Sequence, residues 1–248
     1  MMKKRLWSRW ILALAVVWPF MAAAHDRVRE KENFDFDWKF ILNADDQANA
    51  GMQVSETGWQ DVQLPHDWSI SQNFDPKLSG SNGHLPGGIG WYRKMFRVDK
   101  KDKGRRIAVL FDGIYSRSDV YVNGQHLGFR PYGFCYQEYD LTPYLNYGAE
   151  NVLAVRVNNP LEHDSVARWY TGAGIYRHAW LVKTAEVHVA SYGTYVTTPV
   201  VTAEWAEVRV RTSVANEAER TKTLSVRQQI TDGEGRRQVL AENTLMYF

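Results

Sequence analysis

Two clusters hold the side chains best suited to handling a ligand. The first is the loop from Phe74 to Trp91, with Asn82, His84 and the glycines Gly83, Gly87, Gly88 and Gly90. The second is Arg168-Trp169-Tyr170-Thr171-Gly172-Ala173-Gly174-Ile175-Tyr176-Arg177. Aromatic rings pack against the C–H faces of sugars, and planar Arg and Asn groups hydrogen-bond hydroxyls. Sites of that kind combine apolar walls with a few placed polar groups. Trp, Arg and Asn on glycine-containing loops suit this chemistry. The competing reading is core or interdomain packing, because burial is the usual fate of large aromatics.

Other chemistries fit less well. Gly87-Gly88-Ile89-Gly90 precedes a strand pattern, whereas a phosphate cradle needs a helix N-terminus there, so it reads as a tight loop. His66 and Asp67 are neighbours on an extended segment and point to opposite faces. No Ser sits in a nucleophile elbow, so the pair reads as structural. None of the seven His residues forms a His-x-x-x-His pair on a helix, and the single Cys135 excludes an internal disulfide framework and a Cys-based zinc site. Cys135, between Phe134 and Tyr136, is expected to be a buried thiol. No catalytic residue, metal ligand or cofactor is assigned.

The elements that must position the two clusters are strands. Trp91 to Val98 alternates, with Tyr92, Lys94, Phe96 and Val98 on one face and Trp91, Arg93, Met95 and Arg97 on the other. Ile107, Val109 and Phe111 form a second alternating set, and Leu153, Val155 and Val157 a third. Asp119 to Val122 runs into Asn123-Gly124, a hairpin turn pair, with Leu127 and Phe129 on the return. Trp180-Leu181-Val182 is an apolar run. Between two of these strands, Lys100 to Arg106 reads as a solvated basic hairpin loop. Beyond Glu186 aromatics thin out. Val208 to Val214 and Leu224 to Ile230 alternate, and Asp232-Gly233-Glu234-Gly235 turns the chain towards Val239-Leu240. No stretch of a dozen residues after the leader has a clean 3.6-residue period. The pattern predicts an all-β chain: an antiparallel sandwich, then a few strands resembling part of an immunoglobulin-like sandwich.

The N-terminus reads as a secretory leader. Lys3, Lys4, Arg5 and Arg9 precede the apolar run Trp10 to Phe20, and Ala22-Ala23-Ala24 offers a small-residue cleavage site. The run is about half the roughly 20 residues of a membrane span. The whole chain of 248 residues carries a net charge of +2. Removing residues 1–24 takes away four of its 30 basic residues and none of its 28 acidic ones, leaving 26 against 28 and a charge of −2. The basicity therefore belongs to the leader, and no nucleic-acid or membrane partner is indicated for the remainder. The expected organisation is a leader over 1–24, a sandwich over 25–186 and an incomplete second sandwich over 187–248, with a periplasmic or extracellular location.

Four motifs carry a family resemblance: Leu64-Pro65-His66-Asp67-Trp68, Gly90-Trp91-Tyr92-Arg93-Lys94, Val120-Tyr121-Val122-Asn123-Gly124 and Gly174-Ile175-Tyr176-Arg177. In this order, with an immunoglobulin-like stretch following, the chain resembles the N-terminal part of glycoside hydrolase family 2, most closely the bacterial secreted β-galactosidase type. The resemblance implies a jelly-roll (galactose-binding-like) sugar-binding domain, then an immunoglobulin-like domain ahead of a (β/α)8 barrel. In the family, two barrel glutamates about 5 Å apart perform retaining hydrolysis. A barrel alone takes about 250 residues, and none is legible here. The catalytic barrel is thus expected to be missing from this chain, and Glu138, Glu150 and Glu162 match no catalytic motif.

Three substrate-binding candidates follow from the resemblance. Arg168 stands six residues before Gly174, where some members carry an Asp. Asn82 is the candidate for a sugar-touching Asn of the first loop. Trp169 serves either the sugar or domain packing. The implied partner is a β-galactoside or related glycan. The implied function is that of the non-catalytic N-terminal portion of a family 2 hydrolase. The alternative is a stand-alone carbohydrate-binding β-sandwich without hydrolase activity.

Overall fold

The computed structural model describes residues 29–42, 45–160 and 169–247, with Asn82 and residues 238–247 described by their backbone alone. The leader over 1–24, Glu162 and Arg168 lie outside the described residues.

Two antiparallel sheets form a sandwich of jelly-roll type. One has four strands in the order β1 (Glu30–Asn33), β10 (Ala179–Thr184), β5 (Arg106–Phe111), β8 (Gln137–Asp140). The other has six, in the order β3 (Gln60–Val62), β2 (Trp38–Leu42), β4 (Gly88–Arg97), β9 (Glu150–Asn159), β6 (Ser118–Val122), β7 (Gln125–Arg130). Two hairpins follow, β11 (Val187–Val201) with β12 (Ala206–Asn216) and β13 (Lys222–Thr231) with β14 (Arg237–Tyr247). Among the described residues there is no α-helix, and so no (β/α)8 barrel.

The alternation read from the sequence builds this core. Tyr92, Phe96, Val109, Phe111, Val155 and Val157 meet between the sheets. Trp38 stacks edge-on with Tyr92 and sends its indole N–H 2.7 Å to the Phe34 carbonyl. The Asn123-Gly124 turn joins β6 to β7, with φ of 50° and 83° at the two positions. Such left-handed geometry suits a two-residue hairpin loop. The Asn123 side chain also accepts from the Val152 N–H and donates to Asn151, pinning the turn to β9.

Two local expectations change, and one face of β4 gains a cover that its own sequence does not announce. The second face of β4 is covered over its first half: Trp91 is fully buried and Arg93 donates to the Asn49 and Gly51 carbonyls and to Glu56, whereas Met95 and Arg97 are exposed. The segment around Ala50 closes over that face because a buried guanidinium must have its donors filled. The run Lys100 to Arg106 is not a hairpin loop, since β4 and β5 belong to different sheets. It turns the corner between them, and Asp102 and Arg105 are buried with Lys183 in an ion-pair cluster. Cys135 is only partly buried, because its loop packs through Gly133 and leaves Phe134 and Tyr136 exposed.

The hairpins differ from the sandwich in burial. No residue of β11, β12 or β13 is fully buried, whereas β5 and β10 are almost wholly so. Strands with few buried contacts open locally at low free energy. Limited proteolysis of the purified chain should therefore cut from about residue 187 onward and leave a fragment spanning Glu30 to Thr184. Mass spectrometry of the digest checks this, and uniform loss of both parts would contradict it.

Candidate functional site

At one end of the sandwich the Leu64-Pro65-His66-Asp67-Trp68 segment runs beside the 173–175 segment. The His66 N–H donates 2.8 Å to the Ile175 carbonyl and the Trp68 N–H donates 3.1 Å to that of Ala173. On its other side Gly174 exchanges two backbone hydrogen bonds with Tyr115, of 2.8 and 2.9 Å. The 173–175 segment is therefore held between a loop leaving the six-stranded sheet and one leaving the four-stranded sheet. Only glycine fits at its centre: Gly174 has φ of 121°, and a Cβ there would lie 2.3 Å from the Tyr92 hydroxyl.

Asp67 is the polar centre of this junction. Its Oδ1 accepts from the Ser69 and Ala173 N–H groups, each at 3.0 Å, and its Oδ2 accepts from the Tyr170 hydroxyl at 2.5 Å. Gly172, at φ of 78°, lets the loop pass close, since a Cβ there would come within 2.9 Å of that same Oδ2. From the opposite side the Asn159 amide donates 3.3 Å to the Gly172 carbonyl. Three donors occupy the Asp67 carboxylate, which makes it a scaffold rather than a free acid or nucleophile. Glu138, one of the three glutamates considered from sequence, is paired with Arg106 at 2.7 Å.

The first loop is rooted in the same place. Ser69 Oγ donates 2.6 Å to the Pro86 carbonyl, and Gly87 crosses so near Asn159 that a Cβ would sit 2.3 Å from its carbonyl oxygen. Within the loop His84 folds back, its Nδ1 2.8 Å from the Leu78 carbonyl. Asn82 ends a short 3-10 helix, Gly80–Asn82, capped by Gly83 in the left-handed conformation. The structure thus joins the two sequence clusters at their roots. Trp169 emerges from the junction 64% exposed, while Phe74 on the first loop is 73% exposed. Trp169 is therefore not a core residue. Asp67, read from sequence as structural, is the scaffold of the junction; what the sequence did not show is which groups it holds.

Burial shapes the ionisable groups. It lowers the His66 pKa, against a smaller upward pull from Asp67, and the Tyr92 hydroxyl lies 2.8 Å from His66 Nδ1. It lifts the Tyr92 phenol well above its usual range. Tyr170 is raised by burial and by its bond to the Asp67 carboxylate. Among the described residues no group of three His, Cys, Asp or Glu side chains is gathered as a metal would require.

With this geometry in view, comparison with known proteins is specific. Residues 32–185 match the family described as glycosyl hydrolases family 2, sugar binding domain. The chain belongs to glycoside hydrolase family 2 and corresponds to its N-terminal portion. It is 46% identical over 211 residues to beta-galactosidase BoGH2A of Bacteroides ovatus, a match covering 84% of this chain and 24% of that protein. It is 33% identical to a beta-glucuronidase of Formosa agariphila, covering 84% of this chain and 23% of that protein. A solved family 2 member from Bacteroides cellulosilyticus superposes with a TM-score of 0.77 at 39% identity, over 87% of this chain and 29% of that one. The chain thus spans about a quarter of the length of these relatives.

Two outcomes follow from the junction. Replacing Gly174 by Ala should destabilise the chain by at least ~1 kcal/mol, since φ is positive and the space is taken, as chemical denaturation would read. His66 has a folded-state pKa below its unfolded value near 6.5. Its contribution to stability is complete above that value and is lost as pH falls through the lowered folded pKa. Melting temperature should therefore drop between pH 7 and 5 more in the native chain than in His66→Gln, and parallel curves would count against this linkage.

Proposed function

We propose that this chain is the sugar-binding head of an exo-acting β-glycosidase and that a β-galactoside is its ligand. The observation that carries the reading is the exposed Trp169, one residue before the Tyr170 that bonds to Asp67, within a family 2 sugar-binding domain. An exposed indole on a rigid mount suits the C–H face of a pyranose. Galactose is preferred over glucuronic acid because the relative at 46% identity is a beta-galactosidase, while the beta-glucuronidase stands at 33%. Arg168 and Asn82 remain the polar candidates by sequence.

Hydrolysis in this reading belongs to a polypeptide of the relatives' length. A barrel in its remaining three quarters would supply two carboxyl groups about 5 Å apart, one acid/base and one nucleophile. The present chain contributes walls and hydroxyl contacts to the terminal-sugar subsite. The two hairpins fit the opening strands of an immunoglobulin-like domain, which runs to about 100 residues. Export directed by residues 1–24 would place the mature chain, starting at His25, in the periplasm or outside the cell.

The test is a paired measurement on the 25–248 chain. Methyl β-galactoside should bind weakly, Trp169→Ala should weaken it at least tenfold, and an aryl β-galactoside should not be turned over. A flat titration at millimolar sugar removes the binding role, and turnover that tracks the purity of this chain removes the division of labour.

A further inference from the structure

We propose that Asp67 is a positioning residue for sugar recognition, acting through Tyr170 to fix the orientation of Trp169. The inference rests on the sugar-binding reading above and identifies what gives that site its shape.

Trp169 is largely exposed and Tyr170 is over a third exposed, so packing alone does not fix either ring. A solvent-exposed aromatic mounted on a glycine-containing loop loses rotational and backbone freedom when a ligand lands on it, and that loss subtracts from affinity. Here part of that freedom is removed beforehand, in the residues that follow Trp169. One carboxylate ties Tyr170 by its side chain and Ala173 by its backbone, and Asn159 ties Gly172 between them. The residue immediately before this clamp is Trp169, leaving one peptide unit between the fixed phenol and the indole. The Tyr170 bond is the informative one. The Ala173 contact of Asp67 would suffice to hold the loop, and the 2.5 Å bond from the Tyr170 hydroxyl adds a tie on the residue next to Trp169.

The experiment uses the 25–248 chain with Tyr170→Phe, Asp67→Asn and Asp67→Ala. Methyl β-galactoside and methyl β-glucuronide are titrated while the Trp169 indole N–H resonance is followed, assigned by its loss in Trp169→Phe. Tyr170→Phe removes one hydroxyl and should leave the melting temperature within a few degrees while weakening sugar binding about tenfold, equivalent to ~1.4 kcal/mol. Asp67→Ala should weaken it by at least as much. Asp67→Asn keeps an acceptor for both backbone N–H groups and an amide for the Tyr170 oxygen, so it should retain most of the affinity. The indole resonance of the unliganded chain should move in Tyr170→Phe and in Asp67→Ala and stay near its native position in Asp67→Asn.

Native-like affinity in Tyr170→Phe overturns the proposal. That holds also when Asp67→Ala unfolds, because Asp67 would then be only a stabiliser of the fold. A native chain that binds neither sugar is a different result: it overturns the sugar-binding reading, and the positioning role falls with it.

Discussion

A carboxylate placed where two loops of a β-sandwich converge must have its oxygens filled, and the way Asp67 fills them organises this end of the molecule. Its bonds to Ser69 and Ala173 join a segment that follows β3 to one that precedes β10. The same segments are stitched by backbone hydrogen bonds from His66 and Trp68. Gly172 and Gly174 are glycines because this approach leaves no room for a Cβ. Below the junction, Trp68 stacks on Phe40 and Tyr92 meets His66, so the polar junction is seated directly on the aromatic core.

This arrangement separates stability from recognition. The core between the sheets is mainly apolar, with Ser118, Gln137 and Tyr139 hydrogen-bonded inside it, and it sets the rim. The rim residues with exposed rings, Phe74 and Trp169, contribute little to burial and are free to serve a ligand. Their roots nonetheless lie within hydrogen-bonding distance of the core's edge, through Ser69 to Pro86 and Asp67 to Tyr170. Loops anchored this way keep a fixed geometry while their side chains stay accessible, which is the condition for a preorganised sugar platform.

Much of the fold was legible because it rests on local pattern. The period-two runs of β4, β9, β12 and β13 and the Asn123-Gly124 turn each depend on residues a few positions apart. What escaped depends on distance along the chain. Nothing near Arg93 announces that Asn49, Gly51 and Glu56 will cover it. The partition of β4 and β5 into different sheets cannot be read from either strand, so Lys100 to Arg106 looked like a hairpin loop. Asp67 was read as structural because neighbours on an extended segment diverge. They do diverge here, His66 towards Tyr92 and Asp67 towards the second loop. Its importance comes from an N–H 106 positions later. Trp169 stood out by type, but only the structure separates it from the buried Trp38, Trp68 and Trp91.

A crystal structure of the 25–248 chain grown with saturating methyl β-galactoside tests the central claim most directly. The account predicts the pyranose ring stacked on the Trp169 indole, with Asp67 still bonded to Tyr170 and Ala173 and out of contact with the sugar. A sugar bound elsewhere on the chain, with Trp169 bare, would contradict it.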